Sequence, residues 1–224
     1  MKYIFVDFEM QKIDKIHKEK RAICKQEIIE IGAIMLDEDY NEISTFKKYV
    51  KPAYSEHISR NITELTGITD NYLFCQKDIA FEIEEFAKWC LSYDDDITVY
   101  AWSENDLKQI NEEFQLKGIE FSDNMKKLVS NWVDLQAEYD KAVGAERPTS
   151  LSKALESIGI YFQGHMHDAL DDSRNTATIF KELSDPEGFQ ESIKYIKGFV
   201  YTSTSNKGTT LGDLIDFSKF NICA

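Results

Sequence analysis

Apolar residues along the chain follow two rhythms, one of period two and one near 3.6, and each rhythm predicts a different element. Lys2 to Met10 (KYIFVDFEM) alternates, with Ile4, Val6 and Phe8 on one face and Tyr3, Phe5, Asp7 and Glu9 on the other. Glu27 to Leu36 is β-branched and apolar, and Glu42 to Val50 alternates again. The polar turn Asp37 to Asn41 between them predicts a meander, hence antiparallel pairing. Within Asp78 to Tyr93, Ile79, Ile83, Phe86, Ala87 and Cys90 recur at helical spacing. Ile97 to Trp102 is a further apolar strand, followed by a helix over Ser103 to Leu116 and a short strand near Trp132 to Leu135. Two more helices are predicted, around Ser150 to Ser157 and over Ala169 to Leu183. An initial meander followed by alternating strands and helices gives an α/β fold, a mixed five-stranded sheet flanked by helices.

The 224 residues suit one such domain, expected over 1–200, with 201–224 as a C-terminal tail either packed on the domain or loosely attached. An apolar share of 42% excludes disorder as the default. The start of the chain lacks the order of a signal peptide, and no apolar run is long enough for a membrane span, so a soluble protein is expected. Cys24, Cys75, Cys90 and Cys223 form no C-x-x-C pair, which argues against a zinc site and for free thiols in a reducing cytoplasm.

With 26 basic and 40 acidic residues the net charge is −14, which repels polyanions at long range and argues against coating of long nucleic acid. Charge is uneven, however. Between Gln11 and Gln26 six cations (Lys12, Lys15, Lys18, Lys20, Arg21, Lys25) face only Asp14 and Glu19. This basic segment is either a solvated loop or a rim that guides phosphates.

The candidate chemistry starts with Asp7 and Glu9. Two like charges on one face of a strand apolar on both sides cost several kcal/mol unless a cation or protons neutralise them. Asp106 follows the strand that ends at Trp102, where open α/β sheets place their ligands, although Ser103 as an N-cap and an acid in the first turn are ordinary helix signals. In His167-Asp168-Ala169-Leu170-Asp171-Asp172, a helix capped by Asp168 puts Asp172 on an inward stripe with Ala169, Thr176, Ile179, Phe180 and Leu183. Asp171 and Asn175 then fall on the polar stripe, and His167, just ahead of the helix, is free to turn toward Asp172.

These motifs together resemble the DEDDh 3′→5′ exonucleases, the group of the DNA polymerase III proofreading subunit, ribonuclease T and the ERI-1-like exoribonucleases. The matching elements are DFE at 7–9, Asp106 and HDALDD at 167–172, flanked by EIIEIGA at 27–33 and VKPAYSEHISRNITELTGIT at 50–69. HDALDDSRN looks most like the ERI-1-like branch; the long basic stretch after DFE departs from the pattern. The resemblance implies a ribonuclease H-like fold and release of nucleoside 5′-monophosphates from the 3′ end of single-stranded RNA or DNA, with RNA favoured. It implies that Asp7, Glu9, Asp106 and Asp172 hold two Mg²⁺ or Mn²⁺ ions, with Asp7 bridging and His167 as general base. It also implies that Phe8, Met10, Leu65 and Thr66 line the terminal-nucleotide pocket, against which Phe8 facing only the core and Gly67 ending a helix are the structural alternatives. A competing function is a regulatory or proofreading accessory protein of the same fold that acts through a protein partner. Leu211, Leu214, Ile215 and Phe217 in the tail would supply its docking surface. Nothing in the sequence sets the oligomeric state.

Overall fold

The structure, a computed structural model, describes residues 1–93 and 96–193; the predicted tail 201–224 and its apolar residues lie outside them. In chain order the elements are β1 (Lys2–Lys12), α1 (Lys18–Ile23), β2 (Gln26–Leu36), β3 (Glu42–Tyr49), α2 (Arg60–Thr66), α3 (Asp70–Leu73) and α4 (Ile79–Cys90). There follow β4 (Ile97–Ala101), α5 (Asn105–Lys117), α6 (Asp123–Ser130), β5 (Trp132–Asp134), α7 (Leu135–Val143), α8 (Leu151–Ser157) and α9 (Ala169–Leu183).

The five strands form one sheet in the order β3-β2-β1-β4-β5. The expected meander is present, β1 with β2 and β2 with β3 both antiparallel, and β4 joins β1 in parallel. Alternation along β1 sends its side chains into two helical layers. Ile4, Val6 and Phe8 pack with Phe86 of α4, Phe114 of α5 and Leu128 of α6; Phe5 packs with Leu135 of α7, Leu155 of α8 and Phe180 of α9. The sheet is therefore buried on both sides, the arrangement that a strand apolar on both faces requires.

Several helices went unpredicted for a common reason. Neither α1 nor α2 buries a residue, and α6 and α7 bury two each, so no long apolar stripe marks them. Segment 11–26 is not a plain loop. β1 continues to Lys12, which pairs with Gln26, and the Ile13 N–H donates to the Lys25 carbonyl at 3.0 Å. The excursion between them carries α1 and is anchored by Ile13 and Cys24, which pack on Leu116 of α5. Its base is fixed by a buried ion network. Lys117 reaches Glu27 at 2.8 Å and Glu113 at 2.7 Å, while Glu27 accepts from the Ala53 and Tyr54 N–H groups and Glu113 from that of Ile28. Cys24, Cys75 and Cys90 are free thiols; Cys223 is outside the described residues. No helix among the described residues is long and apolar enough to cross a membrane.

Candidate active site

β4 stops at Ala101 and pairs with β1 only as far as Phe5, so beyond that point one edge of β1 is open. The chain turns there into α5, whose first turn places Asp106 on the vacated edge, and the Phe8 N–H donates to its Oδ1 at 3.2 Å. The acid that composition and capping alone would leave as a helix-start residue thus replaces a strand partner. The cap itself differs from expectation. Glu104, not Ser103, precedes the helix and makes no side-chain cap, while Ser103 Oγ accepts from the Asn105 N–H at 3.2 Å.

On the other edge Asp7 is paired with Gly32 and Glu9 with Glu30, so these four positions share the face on which α9 lies. A Cβ on Gly32 would stand 2.2 Å from the Ala169 carbonyl carbon and 2.2 Å from the Leu170 nitrogen. Only a residue without a side chain lets the first turn of α9 rest on the sheet here. Ser173 Oγ donates to the Gly32 carbonyl at 2.8 Å and holds the contact. This approach brings Asp172 near enough to Asp7 for the two carboxylates to repel. Glu9, His167 and Asp172 each offer a ligand atom within 4.8 Å of the others.

His167 has a left-handed backbone, φ 67°, an uncommon conformation for a residue with a side chain and one that clusters at functional sites. Its N–H donates to Asp172 Oδ2 at 2.9 Å, and Asp168 caps α9 by accepting from the Leu170 and Asp171 N–H groups. Lys47 of β3 clamps this corner, meeting Glu30 at 3.1 Å and also Asp168, while Glu30 accepts from the Ala169 N–H.

The electrostatics are those of uncompensated negative charge. Burial, then Asp106, Asp172, Glu9 and Glu30, push the Asp7 carboxyl well above the usual range. Burial and the neighbouring carboxylates raise Glu9 to about 9. Asp106 and Asp172 rise to about 7, chiefly through burial, even though each accepts a backbone N–H that favours its anion. Protons or a cation must occupy such a place, and hard oxygen donors beside an imidazole suit Mg²⁺ or Mn²⁺.

Of the predicted residues, Asp7, Glu9, Asp106, Asp172 and His167 converge. Phe8 is a correction: its side chain is 4% exposed in the core near Trp132, on the face opposite Asp7, and only its backbone serves the site. Gly67 does end α2 with φ 73°, yet Leu65 is left 52% exposed rather than packed. Thr66 Oγ1 is occupied within that helix end, donating to Ile62 O and accepting from Ile68 N–H. Met10 is partly buried. Two residues assigned to the polar stripe of α9 are also corrected. Asn175 is buried, clasping the backbone of Gln163 through both ends of its amide. Asp171 is half-buried, accepting from the His165 N–H and pairing with Arg174, and so it pins the loop before His167. Gly32, Glu30 and Lys47 were missed. A buried glutamate inside an apolar strand is a visible signal for Glu30, whereas nothing local marks Lys47.

Residues 4–180 match the RNase_T exonuclease family. The chain belongs to that family. Mouse (Mus musculus) "ERI1 exoribonuclease 2" is 31% identical over 194 residues, covering 79% of this exonuclease-family chain and 27% of the mouse protein. Rat (Rattus norvegicus) "3'-5' exoribonuclease 1" is 28% identical over 162 residues, 68% of this chain and 45% of that protein. The nuclease domain of 3'hExo, a DEDDh family member bound to rAMP, superposes with a TM-score of 0.70 at 24% identity, covering 82% of this chain and 92% of that one. The fold is accordingly ribonuclease H-like, as the motifs implied. The chain spans about a quarter of the length of the ERI1 exoribonuclease 2 protein from mouse, 27%.

Proposed function

We propose that this exonuclease-family chain hydrolyses the 3′-terminal phosphodiester of single-stranded nucleic acid, releasing nucleoside 5′-monophosphates, with RNA as the favoured substrate. The observation that carries the reading is the convergence of Asp7, Glu9, Asp106 and Asp172 from three separate elements beside His167, at a place where charge must be neutralised. Exonucleases of this family depend on divalent metal ions. In this reading Asp7, Glu9, Asp106 and Asp172 hold two Mg²⁺ or Mn²⁺ ions, which when bound would neutralise the carboxylates and polarise the scissile phosphate.

The protein's own groups do the rest. His167, held by its N–H on Asp172 and by the loop that Asp171 pins, takes the proton from the attacking water. Leu65, exposed at the end of α2, offers the terminal base an apolar contact with Thr66 beside it, whereas Met10 packs on the Phe8 side of β1, away from α2. α2 is tied to the end of β1 through Ser59, whose N–H and Oγ donate to Gln11 Oε1. That the relatives above are named exoribonucleases supports RNA over DNA. The catalytic unit is taken as residues 1–200, with 201–224 a tail beyond it.

The test is incubation with Mg²⁺ or Mn²⁺ and 5′-labelled single-stranded RNA and DNA of equal length and sequence. Stepwise shortening from the 3′ end, faster on RNA, is expected, and His167→Ala is expected to slow it by about 10²–10⁴-fold. Endonucleolytic fragments, or wild-type rates in the His167 variant, would overturn the assignment.

A further inference from the structure

The basic excursion finds a use in the groove it forms. α1 and the residues after it stand across from α5, and between them lies a groove of about 440 Å³ whose lining includes Met10, Arg21, Lys25, Asn105, Lys108 and Glu112. Two of these residues are sequence neighbours of the metal-site acids, Met10 following Glu9 on the opposite face of β1 and Asn105 preceding Asp106 at the start of α5, so the groove adjoins the site from the α5 side of the sheet. Resting on the exonuclease reading above, we propose that this groove binds the sugar-phosphate backbone of the nucleic acid strand immediately upstream of its 3′ end.

Charge and placement support this. A chain of net charge −14 must gather cations locally to hold a polyanion next to four carboxylates. Arg21, Lys25 and Lys108 do so from two facing elements, against Glu112 alone. Glu112 sits seven residues along α5 from Asn105, about 10 Å from the end near Asp106, and its pairing with Lys108 is loose at 3.9 Å and exposed. Neither Arg21 nor Lys25 meets a carboxylate among the described residues; Arg21 donates to the Ile13 carbonyl, which fixes its side chain across the excursion. The cations are therefore displayed on an ordered support rather than on a free loop, anchored below by Ile13, Cys24 and Leu116.

The position relative to the terminal pocket also fits. Gln11 reaches to α2 while Met10, the preceding strand residue, turns the other way into the groove. Ser59, at the start of α2, thus lies on one side of the end of β1, the side that Gln11 shares with Asp7 and Glu9, and the cations lie on the other. A strand whose last base rests against α2 runs over the carboxylates and enters the groove with its next phosphates.

The test is equilibrium binding, by fluorescence anisotropy, of a 5′-fluorescein single-stranded RNA of about 12 nucleotides with Ca²⁺ in place of the activating ion. Because Arg21 also closes the excursion, the variant is Lys25→Gln with Lys108→Gln. The dissociation constant is expected to rise on the order of tenfold, and the slope of log affinity against log salt to shrink by about 1.4, or roughly 0.7 per lost contact. Lys25→Arg with Lys108→Arg is expected to restore both. The control Lys153→Gln with Lys181→Gln makes the same change in net charge on α8 and α9 and is expected to change neither. If the groove variant and the control behave alike, or if the RNA does not bind the unaltered protein, the groove assignment falls. If the RNA binds through the groove and no shortening occurs with Mg²⁺ or Mn²⁺, the exonuclease reading falls and the groove stands.

Discussion

Substituting Gly32 by Ala adds one methyl group, remote in sequence from every candidate catalytic residue except through the fold. That methyl would sit 2.2 Å from two backbone atoms of the first turn of α9 and 2.6 Å from a third, the Ala169 carbonyl oxygen. To reach even the 3.4 Å of an ordinary contact from 2.2 Å, the helix start must retreat by about 1.2 Å. Backbone cannot swing aside as a side chain can, so α9 moves as a body and takes Asp172 and His167 with it, loosening the Ser173 bond to Gly32 O. Overpacking of this kind costs about 1–3 kcal/mol, which for a domain of this size lowers the melting temperature by about 2–12 °C. The larger effect is on chemistry, where about 1 Å of misplacement costs on the order of 10²-fold in rate. Turnover of 3′-end shortening should be measured well below the variant's melting temperature, alongside Mn²⁺ affinity by calorimetry. Wild-type turnover and an unchanged melting temperature would show that the close approach of α9 to β2 does not position the site.

Titration gives a second prediction. Asp106 and Asp172 at about 7, and Glu9 at about 9, hold protons in the folded protein that the unfolded chain releases near pH 4. The metal-free protein should lose stability as pH rises from about 4 through 7 and on toward 9, and the stabilisation by Mn²⁺ should grow over the same range; a metal-free melting temperature that climbs with pH would contradict the assignment. Asp7→Asn removes a carboxylate that four others repel, so the metal-free variant should melt a few degrees higher while nuclease activity disappears, and calorimetry with a parallel cleavage assay checks both. Lys117→Met leaves Glu27 and Glu113, both wholly buried, without their cation, at a cost of about 3–5 kcal/mol in urea unfolding; a loss under 1 kcal/mol, roughly the worth of an exposed pair, would show that the network is a surface one.

Strand alternation and helical period carry their information in neighbouring residues, and so the five strands, α4, α5, α8 and α9 were legible before any coordinates. The same local rule separated Asp172 from Asp171 and set Asp7 and Glu9 on one face. It erred where a side chain answers to a distant partner: Asn175 is polar yet buried because the backbone of Gln163 comes to meet it. For Phe8 the alternation held and the pocket role implied by the resemblance did not, since the pleat turns its side chain into the core, away from the acids.

The identity of the acids, their order and the histidine ahead of α9 belong to the sequence, since chemistry is fixed by residue type and faces by period. Their meeting belongs to the tertiary structure. Asp106 reaches β1 only because β4 ends early, and α9 reaches Asp7 only because Gly32 has no side chain to hold it off. Lys47 takes its role from Asp168, and Arg21 and Lys25 line their groove with Asn105 and Lys108, residues between roughly 80 and 120 positions away, a distance over which no local pattern extends.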